Sequence, residues 1–273
     1  MKTILAATDY TQLAENAVHY AASIARQNNY KLILLNDFTV SVHAQNAQLP
    51  ANVIEGLIEE NRILMESKAL LLAQEYGIEV IAKATFSFIV DAIKAVVAEY
   101  QPEIIVVGME EKSLEQELLG NTTTSIIKQL RYPVLAVPAN SKFSVSKKVI
   151  FACDLLNGVS EQILAQIKNL ALITQAEVEV LLINETIADL KKVGLDATAL
   201  KRIDDSFEGI DYYYKNVKSD SIIEGIANEV KNAKADLLIM VPGQHGFWGS
   251  LVHRSKTRIM ASGLNIPLYS IPA

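Results

Sequence analysis

Two aspartates, Asp9 and Asp154, close apolar runs of the same kind, "ILAATD" and "VIFACD". A carboxylate at such a point can accept N–H bonds from the start of a following helix. It can equally accept from an amino or hydroxyl group of a ligand, and position alone leaves both readings open. The second chemical candidate is "GMEEKSLEQELLGNTTTS", residues 108–125. Gly108 and Gly120 allow close backbone approach, and Thr122 and Thr123 supply donors, which together suit a phosphate. Glu110, Glu111, Glu115 and Glu117 oppose that use, against the single Lys112. At about 4 Å and an effective dielectric near 20, one like-charge contact costs on the order of 4 kcal/mol. A charged hydrogen bond returns only about 1.5–3 kcal/mol. A triphosphate is therefore disfavoured unless the acids point away or hold a cation such as Mg²⁺. The plainer reading of "EEKSLEQE" is a solvated amphipathic turn.

The matching loop near the end of the chain, "VPGQHGFWGSLVHRSKTR", has no acid. Ser255 and Thr257 stand among Arg254, Lys256 and Arg258, so an anion could be held by side chains instead of backbone. The alternative is a set of exposed helix cations, with Phe247 and Trp248 packing at a domain junction. Other chemistry is weak. No GxxxxGK[ST] loop and no G-x-S-x-G elbow occurs. The lone Cys153 excludes an intrachain disulfide and a cysteine-cluster metal site. It reads as an inert core thiol, and the four histidines lack zinc-ligand spacing. "DYYYK" reads as sheet packing, and Asp204–Asp205 as solvated or capping acids.

The elements that must position these residues occur twice. "ILAATD" at 4–9 returns as "VIFACD" at 149–154, "IIVVGM" at 104–109 as "LLIMVP" at 237–242, and "YPVLAVPA" at 132–139 as "IPLYSIPA" at 266–273. Two domain-sized copies in the same order indicate a tandem duplication. The polar, Ser-rich stretch after Pro138 suits a linker, giving domains 1–139 and 146–273. Strands are expected at "KTILAAT", "KLILLNDF", "IEVIAKATF", "EIIVVG" and "PVLAVP", and again at "KKVIFACD", "EVEVLLINE", "GIDYYYKNV", "DLLIMV" and "PLYSIP". Helical spacing appears in Leu13, Ala17, Ala21 and Ile24, and in Ile89, Ile93, Val96 and Tyr100. A long helix runs through "ANVIEGLIEENRILMESKALLLAQEYG" to a cap at Gly77. Nearly continuous apolar strands alternating with helices predict an α/β fold, with a doubly wound parallel sheet covered on both faces in each copy. Ligands then bind beyond the carboxyl ends of the strands, where the strand order reverses. That rule selects Asp9 and the Gly108 loop in the first copy, and Asp154 and the loop from Val241 in the second.

The formal net charge of −6 disfavours generic nucleic-acid binding. Apolar runs are far short of the roughly 18–20 residues of a membrane span. The opening "MKTILAATDY" is too short an apolar run for a signal peptide, so a cytoplasmic location is expected.

The combination of "ILAATD", "EIIVVGM…LLGNTTTSIIKQLRYPVLAVP" and the second copy resembles the universal stress protein family over nearly the whole chain. The resemblance implies a Rossmann-like five-stranded sheet of order 3-2-1-4-5 in each copy. It also implies a binding and signalling role with ATP or AMP as ligand, Mg²⁺ only alongside a nucleotide, and domain pairing through the last strands or a homodimer. Nucleotide-binding members carry G-x-x-G, nine residues, then G-[ST], and their first-strand aspartate helps to hold the adenosine. Asp9 and Gly108 match that pattern, while Glu111 replaces the second glycine. Gly120 matches the third glycine one residue early, and Asn121 replaces the hydroxyl residue, with Thr122 and Thr123 beyond. In the second copy Asp154 matches the aspartate. Val241, Gln244 and Arg254 replace the three glycines, leaving Ser255 and Thr257 as donors. Weak or vestigial nucleotide binding, mainly in the first copy, is the implied outcome. A slow ATP-hydrolysing enzyme and a nucleotide-free interaction scaffold are the competing expectations.

Overall fold

The computed structural model describes residues 1–38, 50–109, 121–153, 159–184, 196–241 and 265–272. The chain divides into two compact units, Met1–Met109 with Tyr132–Phe143, and Glu110–Arg131 with Ser144–Ala273.

In the first unit, β1 (Thr3–Ala7), β2 (Lys31–Asp37), β3 (Val80–Thr85), β4 (Ile105–Met109) and β5 (Val134–Pro138) pair in parallel in the order 3-2-1-4-5. The expected α/β class and strand order are therefore present. β1 is buried along its whole length, as its unbroken apolar sequence requires when both faces are covered. Helix α1 (Gln12–Asn28) turns Ala17, Ala21 and Ala25 inward, and these small residues let it lie close on β1 and β4. Helix α2 (Ala51–Tyr76) packs on β2, β3 and α1. It ends at Gly77, whose φ of 65° and N–H bond to the Ala73 carbonyl make the expected left-handed cap. Helix α3 (Ile89–Tyr100) buries Ile93 and Val96, on the spacing read from the sequence. Beyond β5 the chain is tied back to α1. Asn16 Nδ2 donates to the carbonyls of Pro138 and Ser141, at 2.8 and 2.9 Å. The Tyr20 ring meets Phe143 edge-on.

The second unit contains α4 (Asn121–Leu130), on which Ile126 and Ile127 are buried. Its strands are β6 (Lys148–Ala152), β7 (Glu177–Ile183), β8 (Tyr212–Val217), β9 (Leu237–Met240) and β10 (Leu268–Ser270). They pair in parallel, and from the β8 edge they run 8-7-6-9-10, the same order as in the first unit. Helices α5 (Glu161–Thr174) and α6 (Asp196–Phe207) contact each other, and α7 (Ile222–Ala233) lies over β6 and β7. Ser160 and Ser221 cap α5 and α7 by accepting the backbone N–H three residues on.

The three consecutive tyrosines of β8 show the pleat directly. Tyr212 and Tyr214 both donate their hydroxyls to Asp204 of α6, each at 2.8 Å. Tyr213 points the other way and donates to Glu179 of β7. Asp204 is thus an acceptor for two sheet tyrosines, and the tyrosines pack the sheet as expected.

Candidate functional site at the end of the first strand

Beyond Ala7 the first strand leaves the sheet through a tight polar corner. Tyr10 has φ of 64°, a left-handed conformation that costs a residue with a side chain about 1–2 kcal/mol. The corner is held by short hydrogen bonds. Thr8 Oγ1 accepts the Tyr10 N–H at 3.0 Å and donates to Glu15 Oε1 at 2.8 Å. Asp9 Oδ1 accepts both the N–H and the hydroxyl of Thr11, at 3.0 and 2.6 Å. Thr11 in turn accepts the Ala14 N–H at 3.3 Å. The helix cap is therefore Thr11, not Asp9; a carboxylate two residues earlier buttresses the capping hydroxyl instead of capping directly. Asp9 is exposed, and among the described residues its second oxygen, Oδ2, receives no hydrogen bond. One oxygen organises the turn, and the residue itself stands exposed beyond the carboxyl end of β1.

Beneath this corner lies a buried polar chain that the sequence reading did not single out. Asn36, at the end of β2 and 3% exposed, donates to the Thr8 carbonyl at 2.7 Å. Asn61 of α2, 8% exposed, donates to Asn36 Oδ1 at 2.8 Å and accepts the Tyr10 hydroxyl at 3.1 Å. Burial, aided by the charge of Glu15, pushes the Tyr10 phenol up to about 12, so it remains a donor. Glu15 is closed off by an ion pair with Lys68 of α2. The available sequence signal was Asn61 itself. It shares the inward spacing of Met65, Ala69 and Leu72, and a polar residue on a core face must find partners.

Gly108, near the end of β4, faces the first turn of α1. A Cβ there would lie 2.7 Å from Leu13 Cγ and 3.1 Å from the Leu13 carbonyl oxygen. Asp9 and Gly108 are thus brought to the same end of the first unit, on the two strands flanking the order reversal. The remaining sequence candidates fall differently. Asn121 opens α4, Thr122 is exposed and Thr123 is buried at 4%, all within the second compact unit. Gly120, Asp154, Ser255 and Thr257 lie outside the described residues, as do the four loop glutamates. In the second unit β6 is followed by a buried Cys153, whose N–H donates to the Leu181 carbonyl.

Chemically, the corner of the first unit offers a hydrogen-bond acceptor, an adjacent phenol and a glycine-lined strand end. Among the described residues it offers no nucleophile–base pair. Among the described residues no three His, Cys, Asp or Glu side chains converge as a metal site, and no helix is long and apolar enough to cross a membrane.

A universal stress protein from Archaeoglobus fulgidus shares the fold with a TM-score of 0.73 at 16% identity, over 99% of this chain and 98% of that one. A universal stress protein described as such provisionally, from Pseudomonas aeruginosa, matches at 0.57 and 12% identity, over 100% and 93% of the two chains. A functionally unknown protein from the same species matches at 0.56 and 13% identity, over 100% and 92%. These likenesses show the fold. No curated protein matches the sequence. The family model described as the universal stress protein family matches residues 1–138, half of the chain, and the chain belongs to that family.

Proposed function

We propose that this chain is a cytoplasmic stress-response binding and signalling protein built from two tandem copies, and that its first copy takes an adenine nucleotide weakly. The observation that supports this most is the division of labour at Asp9. One carboxylate oxygen is spent on Thr11, the other takes no hydrogen bond among the described residues, and Asp9 stands exposed at the strand end where a doubly wound fold receives its ligand. A carboxylate oxygen in that setting suits the hydroxyls of a ribose. The neighbouring phosphate side is poor, since "EEKSLEQE" brings four acids to the loop. A nucleotide with fewer phosphates is the better fit, so AMP is expected to bind at least as well as ATP unless Mg²⁺ accompanies the latter. The reading is one of ligand occupancy, carried by an acceptor carboxylate, a phenol that stays a donor and a glycine-lined strand end.

Isothermal titration of the full chain with ATP and AMP, each with and without Mg²⁺, tests the reading. Weak binding of AMP that is lost in Asp9→Ala supports it. Absence of binding by both nucleotides at millimolar concentration overturns it, as does binding that Asp9→Ala leaves unchanged.

A further inference from the structure

Asp9 stands exposed between two residues that are tied down, and the ties form a closed ring. The Thr8 carbonyl accepts from Asn36 Nδ2, Asn36 Oδ1 accepts from Asn61 Nδ2, and Asn61 Oδ1 accepts from the Tyr10 hydroxyl. The Tyr10 N–H donates to the Thr8 hydroxyl oxygen and closes the ring. Thr8 is held on its other sides as well. Its N–H donates to the Leu35 carbonyl of β2, and its hydroxyl donates to Glu15, the partner of Lys68 on α2. Thr8, Asn36 and Asn61 are all buried, so a ring bond once broken is not simply replaced by water.

Tyr10 is the member of the ring whose residue type conflicts with its backbone. Its left-handed φ of 64° makes the turn that brings the N–H and hydroxyl of Thr11 onto Asp9 Oδ1. Glycine takes that conformation freely, whereas a tyrosine leaves it unless something holds it there. The hydroxyl bond to Asn61 is such a hold, and a phenylalanine could not make it. It fastens the turn to α2, an element that, among the described residues, makes no hydrogen bond to Asp9 itself.

We propose that Tyr10 and Asn61 are positioning residues for Asp9. Their hydrogen bond is a strut that fixes the left-handed turn, so ligand affinity at Asp9 depends on the seating of α2. The ligand in this proposal rests on the nucleotide reading, while the strut rests on the turn alone.

The test compares the full wild-type chain with Asn61→Ala, Tyr10→Gly and the double variant. The readouts are AMP titration and amide exchange of the Thr11 N–H. Asn61→Ala is expected to weaken AMP binding about fivefold or more and to speed Thr11 exchange by a similar factor. In the Tyr10→Gly background the same substitution is expected to change both by less than about twofold, because the strut is already gone and glycine holds the turn without it. A role in packing alone predicts otherwise. Asn61→Ala takes the donor from Asn36 in both backgrounds, so its effects would then be equal in the two. Equal effects, or no effect in either background, overturn the proposal. Tyr10→Phe leaves the Asn61–Asn36 bond in place and keeps the test decisive should Asn61→Ala fail to fold. It is expected to match the losses of Asn61→Ala, and wild-type affinity and exchange in this variant overturn the proposal. Failure of the wild type to bind AMP at millimolar concentration removes the nucleotide reading instead. The strut then stands or falls on Thr11 exchange, by the same comparison.

Discussion

Leu13 occupies the space that a side chain on residue 108 would need. The clash would involve both Leu13 Cγ, at 2.7 Å, and the Leu13 backbone carbonyl, at 3.1 Å. Glycine at 108 is therefore required by the seating of α1 on β4, whatever the site binds. Gly108→Ala is expected to destabilise the first unit by about 1–3 kcal/mol, because a side chain can rotate away but a helix backbone must shift. Urea unfolding measures this, and a loss near zero would mean that α1 moves aside freely.

Asn61 links the end of β2 to the Tyr10 corner. Replacing it by alanine removes the donor to Asn36 Oδ1 and the acceptor of the Tyr10 hydroxyl. Each is a group at low exposure, and a buried polar group left unpaired costs about 1–3 kcal/mol. Asn61→Ala is expected to cost at least that much in equilibrium unfolding. Tyr10→Phe, which removes only one partner, should cost about 1 kcal/mol. Equal effects of the two substitutions would show that Asn36 finds another partner.

Asp9→Asn separates the structural use of Asp9 from its ligand use. An asparagine oxygen can still accept from Thr11, so stability should change by no more than about 0.5 kcal/mol. The other terminus becomes an NH₂ group, which cannot accept from a ligand hydroxyl. AMP affinity is expected to fall about tenfold or more, a loss of about 1.4 kcal/mol. An unchanged affinity with unchanged stability would remove Asp9 from the ligand contact.

The architecture was legible because each element carried a local signal that agreed with its tertiary place. β1 and β5 read as apolar runs because both faces are covered, and α2 announced its end with Gly77. The site was legible only in outline. Asp9 and Gly108 were found from their places at strand ends, but their local roles were not. That Thr11 caps the helix depends on the left-handed turn at Tyr10, which no residue type signals, since a tyrosine there is sterically disfavoured. The Thr8–Asn36–Asn61–Tyr10 chain joins three segments distant in sequence, and nothing in any one segment specifies its partners. The packing demand on Gly108 was hidden for the same reason. Its neighbour Leu13 comes from the opposite end of the unit's sequence.

Helix endings offer a stability gain. Asn29, Gln101, Gln175 and Lys234 close α1, α3, α5 and α7 in the left-handed conformation, with φ of 54°, 47°, 53° and 53°. Each cap N–H is bonded to a carbonyl of the preceding turn, so the geometry is a proper cap made with a residue that resists it. Glycine relieves the Cβ strain but adds unfolded-state freedom, leaving a net gain of about 0.5–1 kcal/mol per site. Gln101→Gly and Gln175→Gly are the clean cases, and thermal melts of each single variant should shift upward. A downward shift would mean that the glutamine side chain contributes more than its backbone strain costs.

The second unit should lose stability as pH rises, through Glu179. This carboxyl is fully buried in the middle of β7, facing Tyr213 in register across β8. One oxygen accepts the Tyr213 hydroxyl, and among the described residues the other has no hydrogen-bond partner. Burial raises its titration above the usual carboxylate range. The Glu229 charge on α7 adds to that rise, while the Tyr213 hydrogen bond and the charges of Lys148 and Lys215 oppose it. The unfolded chain releases this proton near the ordinary carboxylate value, and the folded chain holds it to higher pH. Between those two points the unfolded state binds fewer protons, so stability falls as pH rises through the interval and levels off above the folded value. Glu179→Gln keeps an acceptor for Tyr213 and cannot ionise, so this component of the fall should disappear. Urea unfolding of both proteins from pH 4 to pH 8, a span set around the ordinary carboxylate range, should show the variant gaining on the wild type as pH increases. A stability difference that stays constant across that range would show that Glu179 does not titrate within it.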